Sequence, residues 1–523
     1  MKYDISKLSL EEKIGQLFMF GFDATDINDH ALKLIKDCKV GNVILFARNV
    51  KTPEQLFKLN QNLQKLALKE IGVPLLISID QEGGMVSRIT NGATFFPGAM
   101  TIAATNDVNN AYLSGKYMGL ELINLGVNMN YAPVLDVNNN PKNPVIGVRS
   151  FSDQPNMVAE YGTAFMEGLQ ENIIATAKHF PGHGDTTVDS HLALPRVSYG
   201  MDRLNKVELV PFRKAIQNGI QAIMSSHIDF PALTEYGLPT TLSKKCMTDF
   251  LRGELGFEGL IVTDGMQMKA IQDNYTTVKA SLMAIEAGAN MVCICHSQEL
   301  QMKAVEYVKE AVLTNKISED TINERVARVL RFKDGLKKID LNQTYPSVKD
   351  IVENEKTKDF SYQVVRKALT LVKGKPLELK DKALFIGALP IATSIADESD
   401  GQHSIIKRIQ SELPSLKTMT LPIQPTNHEI EQILKEAKKH EQVILCTYNA
   451  NIFQEQIELM NKLVELNIEL HVISMRNPYD LHYAKNVKNY VCLYEYTPNS
   501  LNVLLEYLKK ELIPTGIIPI AYE

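Results

Sequence analysis

The chain of 523 residues contains no tryptophan, which excludes an indole as the flat face on which a ligand stacks. Long apolar runs are also missing. "LFMFGF" is too short to span a bilayer or to serve as a signal-peptide core. The opening "MKYDISKLSLEEKIGQ" is polar, so a cytoplasmic protein without a membrane partner is expected. There is no long basic block and the formal net charge is −5, which argues against a nucleic-acid partner, whose phosphates call for a basic face. The six cysteines are scattered and suggest no disulfide framework. In "MVCICH", Cys293, Cys295 and His296 have the softness of metal ligands, but no second ligand pair lies near. A buried strand, in which residues two apart share a face, accounts for the same spacing.

What is present is regular. The length exceeds what one hydrophobic core supports, so two or more domains are expected. Eight short apolar runs recur in the first 300 residues: "QLFMFGF", "NVILF", "LLISID", "VNMNYAPVLDV", "IIATAKH", "AIMSSH", "LIVTD" and "NMVCIC". Segments of helical spacing separate them, such as "PEQLFKLNQNLQKLALKE". This alternation predicts a parallel sheet covered by helices, and eight units predict a (β/α)8 barrel over residues 1–340. A doubly wound open sheet is the alternative. The polar stretch 341–360 reads as a linker. From 361 to 523 the pattern restarts with "ALTLV", "ALFIG", "VILCTY", "LHVIS" and "YVCLY", predicting a smaller α/β sandwich domain. No glycine-rich phosphate fingerprint follows its strands, so no nucleotide cofactor is expected.

Polar residues end several of the barrel runs: Asp80, Asp136, Lys178 with His179, His227 and Asp264. In a barrel these positions share the carboxyl-terminal face, where substrates bind. Asp264 alone fits a nucleophile, a base, a metal ligand or a helix cap equally. The segment "KHFPGHGDTTVDSH" (178–191) gathers three histidines and two aspartates. Asp189 and His191 are close enough for a bent loop to join carboxylate and imidazole, a pairing that orients the ring and raises its basicity. A metal site is the rival reading. Its spacing is neither HExxH nor CxxC, and Pro181, Gly182 and Gly184 break any helical face. A purely structural capping loop is the third.

These motifs, with "IDQEGGMVSRI", "IGVRSF" and "IVTDGMQM", resemble the bacterial β-N-acetylglucosaminidases of glycoside hydrolase family 3. "LTLVKG" and "MRNPYDL" resemble the second domain of its two-domain, Gram-positive members. The resemblance implies a retaining exo-enzyme that needs no metal or cofactor and releases N-acetylglucosamine from muropeptide fragments in cell-wall recycling. It implies Asp264 as nucleophile, His191 as general acid/base and Asp189 as its partner. It also implies that Asp80, Arg88, Arg149, Lys178 and His179 hold the sugar. Met85 departs from the arginine the family often has after the double glycine. An imidazole in place of a second carboxylate repels an anion less, so phosphorolysis is an alternative to hydrolysis. A metal-dependent hydrolase on the same barrel is the other. With no tryptophan, Met266 becomes a candidate for stacking on the sugar.

Overall fold

The computed structural model describes residues 3–187, 189, 193–235, 237–336, 340–389 and 404–522. Eight parallel strands make the first sheet: β1 (Phe18–Phe20), β2 (Asn42–Leu45), β3 (Leu76–Ile79), β4 (Met129–Asn130), β5 (Ile174–Phe180), β6 (Ala222–Ser225), β7 (Leu260–Thr263) and β8 (Val292–Ile294). Each coincides with one of the eight apolar runs, β5 extending one residue past its run to Phe180. Neighbours follow chain order, β8 pairs with β1, and a bridge between Val262 and Met291 joins β7 to the start of β8. The ring is thereby closed into a barrel.

Side chains alternate across each strand. Met19, Ile44, Leu76, Met129, Met224, Val262 and Cys293 meet inside the barrel. Phe18, Phe20, Val43, Leu45 and Ile77 face outward into the core beneath the helices. With both faces dry, a strand needs apolar residues throughout, which is why these segments read as unbroken runs. The helix Pro53–Glu70 shows how the cover is built. Thr52 accepts a hydrogen bond from the Gln55 amide and Pro53 opens the first turn, a cap worth about 1 kcal/mol. Leu56, Leu59, Leu63 and Ala67 then form its buried stripe.

The second sheet holds β9 (Thr370–Lys373), β10 (Ala383–Ala388), β11 (Lys417–Leu421), β12 (Gln442–Thr447), β13 (Glu469–Ser474) and β14 (Asn489–Cys492). Its order is β11-β10-β12-β13-β14-β9, parallel except for β9, which runs antiparallel to β14. Helices such as Asn427–Ala437 and Pro498–Leu508 cover it. The molecule is therefore an α/β protein, a parallel barrel followed by a smaller sheet unit.

The two parts are closely joined. The stretch 341–360 carries the short helix Lys349–Val352 and the start of the helix Glu355–Ala368. That second helix gives Val364 to the barrel's outer core and Val365 and Ala368 to the core of the second sheet. Met85, Met100, Ala104 and Val148, all from barrel loops and helices, also belong to the second core. The sulfur of Met85 accepts a hydrogen bond from the Tyr496 amide at 3.2 Å. Among the described residues no helix is long and apolar enough to cross a membrane.

Candidate active site

A cavity of about 640 Å³ opens at the carboxyl-terminal ends of the barrel strands, within the size range of small-ligand sites. Asp80, Glu82, Arg88, Arg149, Lys178, His179 and Asp264 line it. A second cavity of about 620 Å³ lies at the opposite end of the barrel. There the amides of Gln64 and Asn128 bind the backbone of Leu75 and Ile77, as a barrel floor requires. Of these two cavities, the first is the one on which charged groups from several strands converge.

Glu82 is the centre of that convergence. Arg149 donates to it through two nitrogens, Nε at 2.9 Å and Nη2 at 2.8 Å. Lys178 donates to Glu82 Oε1, the oxygen that also accepts from Arg149 Nη2, at 2.6 Å and to Asp80 at 2.7 Å. Burial opposes a charge on Glu82, but the guanidinium and ammonium outweigh it and hold the carboxyl well below the usual carboxylate range. A row of alternating charges, Arg149, Glu82, Lys178 and Asp80, thus forms one wall. The backbone beneath it is tight. Gly83 has φ +92°, and a Cβ there would lie 2.3 Å from the Pro97 carbonyl oxygen.

Behind this wall Asp136 ties the end of β5 to the loop that follows. It accepts from the His179 amide at 3.1 Å and the His183 amide at 2.7 Å, and lies 2.7 Å from His179 Nδ1. Its burial favours the neutral acid, yet the His179 imidazole and these hydrogen bonds keep the carboxyl below its ordinary value. His183 is buried too, and its basicity falls to about 4 through burial and the neighbouring His179. It is neutral at pH 7 and a poor proton donor there. Gly184 passes so close to β4's extension that a Cβ would sit 1.7 Å from the Val137 carbonyl oxygen. Only glycine fits that crossing.

Asp264 follows β7 directly, half-buried, with Oδ1 accepting from the Gly265 amide at 2.7 Å. His227, at the end of β6, holds the same turn: its Nε2 lies 3.1 Å from the Gly265 carbonyl oxygen. A carbonyl can only accept, so Nε2 carries the hydrogen. Arg48, Phe46 and His296 stand at the mouth. The guanidinium lies 4.4 Å from the Phe46 ring centroid, and the His296 ring 5.5 Å from it on centroids.

The structure therefore gathers Asp80, Arg88, Arg149, Lys178, His179 and Asp264 around one cavity. Asp189 is half-buried and, among the described residues, is not part of the lining; its carbonyl accepts from the Ala193 amide at 3.2 Å. His191 lies outside the described residues. Cys293 in β8 and Cys295 just after it line the inner wall, two residues apart and on one face. Met266 is not a platform: its side chain is buried in the barrel's outer core, and Met224 and Met268 face the cavity instead. Glu82 escaped the sequence reading, although a carboxylate between Asp80 and a double glycine was a usable signal. Among the described residues no three histidines, cysteines or carboxylates group as metal ligands do.

Comparison with known proteins identifies the family. The sequence pattern described as the glycosyl hydrolase family 3 N-terminal domain matches residues 9–332. Beta-hexosaminidase A of Pseudoalteromonas piscicida is 38% identical over 327 residues, covering 58% of this chain and 55% of that protein. The chain thus spans about half the length of that relative. A beta-hexosaminidase of Nitrosomonas eutropha is 38% identical over 267 residues, covering 50% of this chain and 75% of that protein. A solved structure of a glycoside hydrolase family 3 beta-N-acetylglucosaminidase from Paenibacillus sp. str. FPU-7 superimposes with a TM-score of 0.90. It shares 37% identity and covers 98% of this chain and 99% of that one.

Proposed function

Because the chain belongs to glycosyl hydrolase family 3, we propose that it is a retaining exo-β-N-acetylglucosaminidase acting on N-acetylglucosamine–N-acetylmuramic acid fragments of the cell wall. The observation that carries this reading is the meeting of Asp264 with the Asp80–Lys178–Glu82–Arg149 row on one cavity. Hydroxyl and acetamido groups need several fixed donors and acceptors, and this row offers both. Asp264 attacks the anomeric carbon, and the bond to the leaving oxygen breaks as a glycosyl-aspartate forms. The turn helps: the Gly265 amide holds Oδ1 at 2.7 Å and so fixes the orientation of the attacking carboxylate. His191, oriented by Asp189, protonates the departing oxygen and then takes a proton from the incoming water. Support for that pair is the loop's origin, directly after Lys178 and His179, whose side chains line the cavity. A single charge-lined cavity without tryptophan favours gripping one terminal sugar over holding a long polymer.

A 2-fluoro glycosyl donor, or a 5-fluoro N-acetylglucosaminyl donor, should trap the enzyme on Asp264, located by peptide mass spectrometry, and Asp264→Asn should lose several orders of magnitude in turnover. Labelling of another carboxylate refutes the assignment. Product analysis on an aryl N-acetyl-β-glucosaminide, with and without phosphate, decides the acceptor. Free N-acetylglucosamine in both supports hydrolysis, and its 1-phosphate assigns phosphorolysis. Activity lost on chelation and restored by a divalent ion would instead support the metal-dependent reading.

A further inference from the structure

The motif "RNPYD" at 476–480 has no part in the chemistry above, yet it touches the barrel beside the cavity. It follows β13. Asn477 is buried, its amide donates to Asn449 Oδ1 at 3.3 Å, and its carbonyl accepts from the Ser474 hydroxyl at 2.8 Å. Its side chain is therefore presented from a fixed backbone. Its Oδ1 accepts from the Val148 amide at 3.1 Å, one residue before Arg149.

The receiving turn is shaped for this contact. Residues Gly147–Arg149 form a single 3-10 turn. Gly147 has φ +46°, and a Cβ there would lie 2.4 Å from Asn477 Oδ1. The missing side chain is thus the space the asparagine occupies. The other end of the loop is held from the same motif: the Tyr479 hydroxyl donates to the Asn138 carbonyl at 3.3 Å, and Asn138 Oδ1 accepts from the Gly147 amide at 3.0 Å. From this turn Arg149 reaches Glu82 with two nitrogens, a geometry sensitive to small rotations of its backbone.

We propose that Asn477, from the second sheet unit, is a positioning residue that sets the Arg149 turn and hence the sugar-holding row. The inference rests on the proposed binding role of Arg149. Without the Asn477 oxygen the Val148 amide loses its acceptor, the turn relaxes, and Arg149 meets Glu82 and the sugar off-line. Such a loss weakens substrate and transition state alike, so it raises KM while kcat stays close to its original value.

The test is a double-mutant cycle on an aryl N-acetyl-β-glucosaminide, with folding checked by circular dichroism. Asn477→Leu should lower kcat/KM roughly tenfold or more, nearly all through KM, the size of effect expected when one charge-assisted contact is misaligned. Asn477→Asp, which keeps the acceptor, should recover most of it. In an Arg149→Ala background, Asn477→Leu should cost no further activity beyond about twofold. Gly147→Ala presses on the same contact from the barrel side and should repeat this pattern, which keeps the test decisive if the leucine variant does not fold. Equal losses in both backgrounds, a loss confined to kcat, or wild-type kinetics in Asn477→Leu would overturn the positioning role. If Arg149→Ala itself leaves kcat/KM unchanged, the binding role of Arg149 fails, and that failure is distinct.

Discussion

Replacing Glu82 by glutamine tests the charged wall at its weakest point. The carboxylate neutralises two buried cations, with Arg149 and Lys178 side chains only 5% and 2% exposed. An amide offers one oxygen and turns an NH2 toward a guanidinium or an ammonium. Removing one member of a buried ion pair costs about 3–5 kcal/mol, because the partner stays desolvated and unmatched. The unfolding entropy of about 2.1 cal/mol/K per residue gives about 1.1 kcal/mol/K for the 523-residue chain. The expected fall in Tm is then about 3–5 °C, measured by differential scanning calorimetry at pH 7. The pH dependence has a definite sign. Glu82 in the fold titrates well below its ordinary 4.5, so its stabilisation is fully present above about pH 4.5 and fades only as strong acid protonates the folded carboxyl. The gap between wild type and variant should hold from pH 7 to 5 and narrow only below that. Kinetically, Lys178 and Arg149 lose their common anchor, and KM should rise at least tenfold. A variant that melts within 1 °C of wild type with an unchanged KM would refute the reasoning.

Two further perturbations separate chemistry from structure. His191→Ala should nearly abolish cleavage of a disaccharide whose leaving hydroxyl needs a proton, but spare the first step on a nitrophenyl glycoside, leaving a burst; Asp189→Ala should do so more mildly. Equal losses on both substrates, in a folded variant, would remove His191 from the acid role. Asp480 is buried between Thr447 and Tyr490, and burial pushes its carboxyl up to about 6 from 3.8. The fold therefore favours the protonated acid, and that stabilisation is lost as pH rises through about 6. Stability of wild type minus Asp480→Asn should fall by about 2.4 kcal/mol between pH 4 and 8; a flat difference contradicts the shift.

The barrel was legible because parallel strands buried on both faces leave continuous apolar runs, and all eight runs hold a strand. What was illegible depended on neighbours distant in sequence. β11 lies at the edge of its sheet with only Leu421 buried, so its polar face hides the strand. The helix Glu355–Ala368 begins inside the stretch read as a linker because its charges face water and its apolar residues divide between two cores. Asp80, Lys178, His179 and Asp264 were legible as the polar ends of apolar runs, whereas Arg88 and Arg149 were named because they stand in motifs that resemble the family. Glu82 stands in the same motif, but its importance comes from Lys178 and Arg149, which folding brings to it.

The methionine at position 85 carries a consequence for sequences yet to be read. It follows the double glycine of the cavity loop, is 8% exposed, and packs into the core of the second sheet with Met100, Ala104 and Val148. In a barrel made alone those four side chains would face water as one sticky patch, and the amides of Gly98 and Val148 would lose Glu495 and Asn477 as acceptors. A free-standing barrel has reason to place a long, charged side chain there, and a covered one has reason to place a soft apolar one. In this chain the residue after the double glycine is part of the joint between the barrel and the second sheet, and a barrel made without that sheet would be expected to self-associate through the exposed patch.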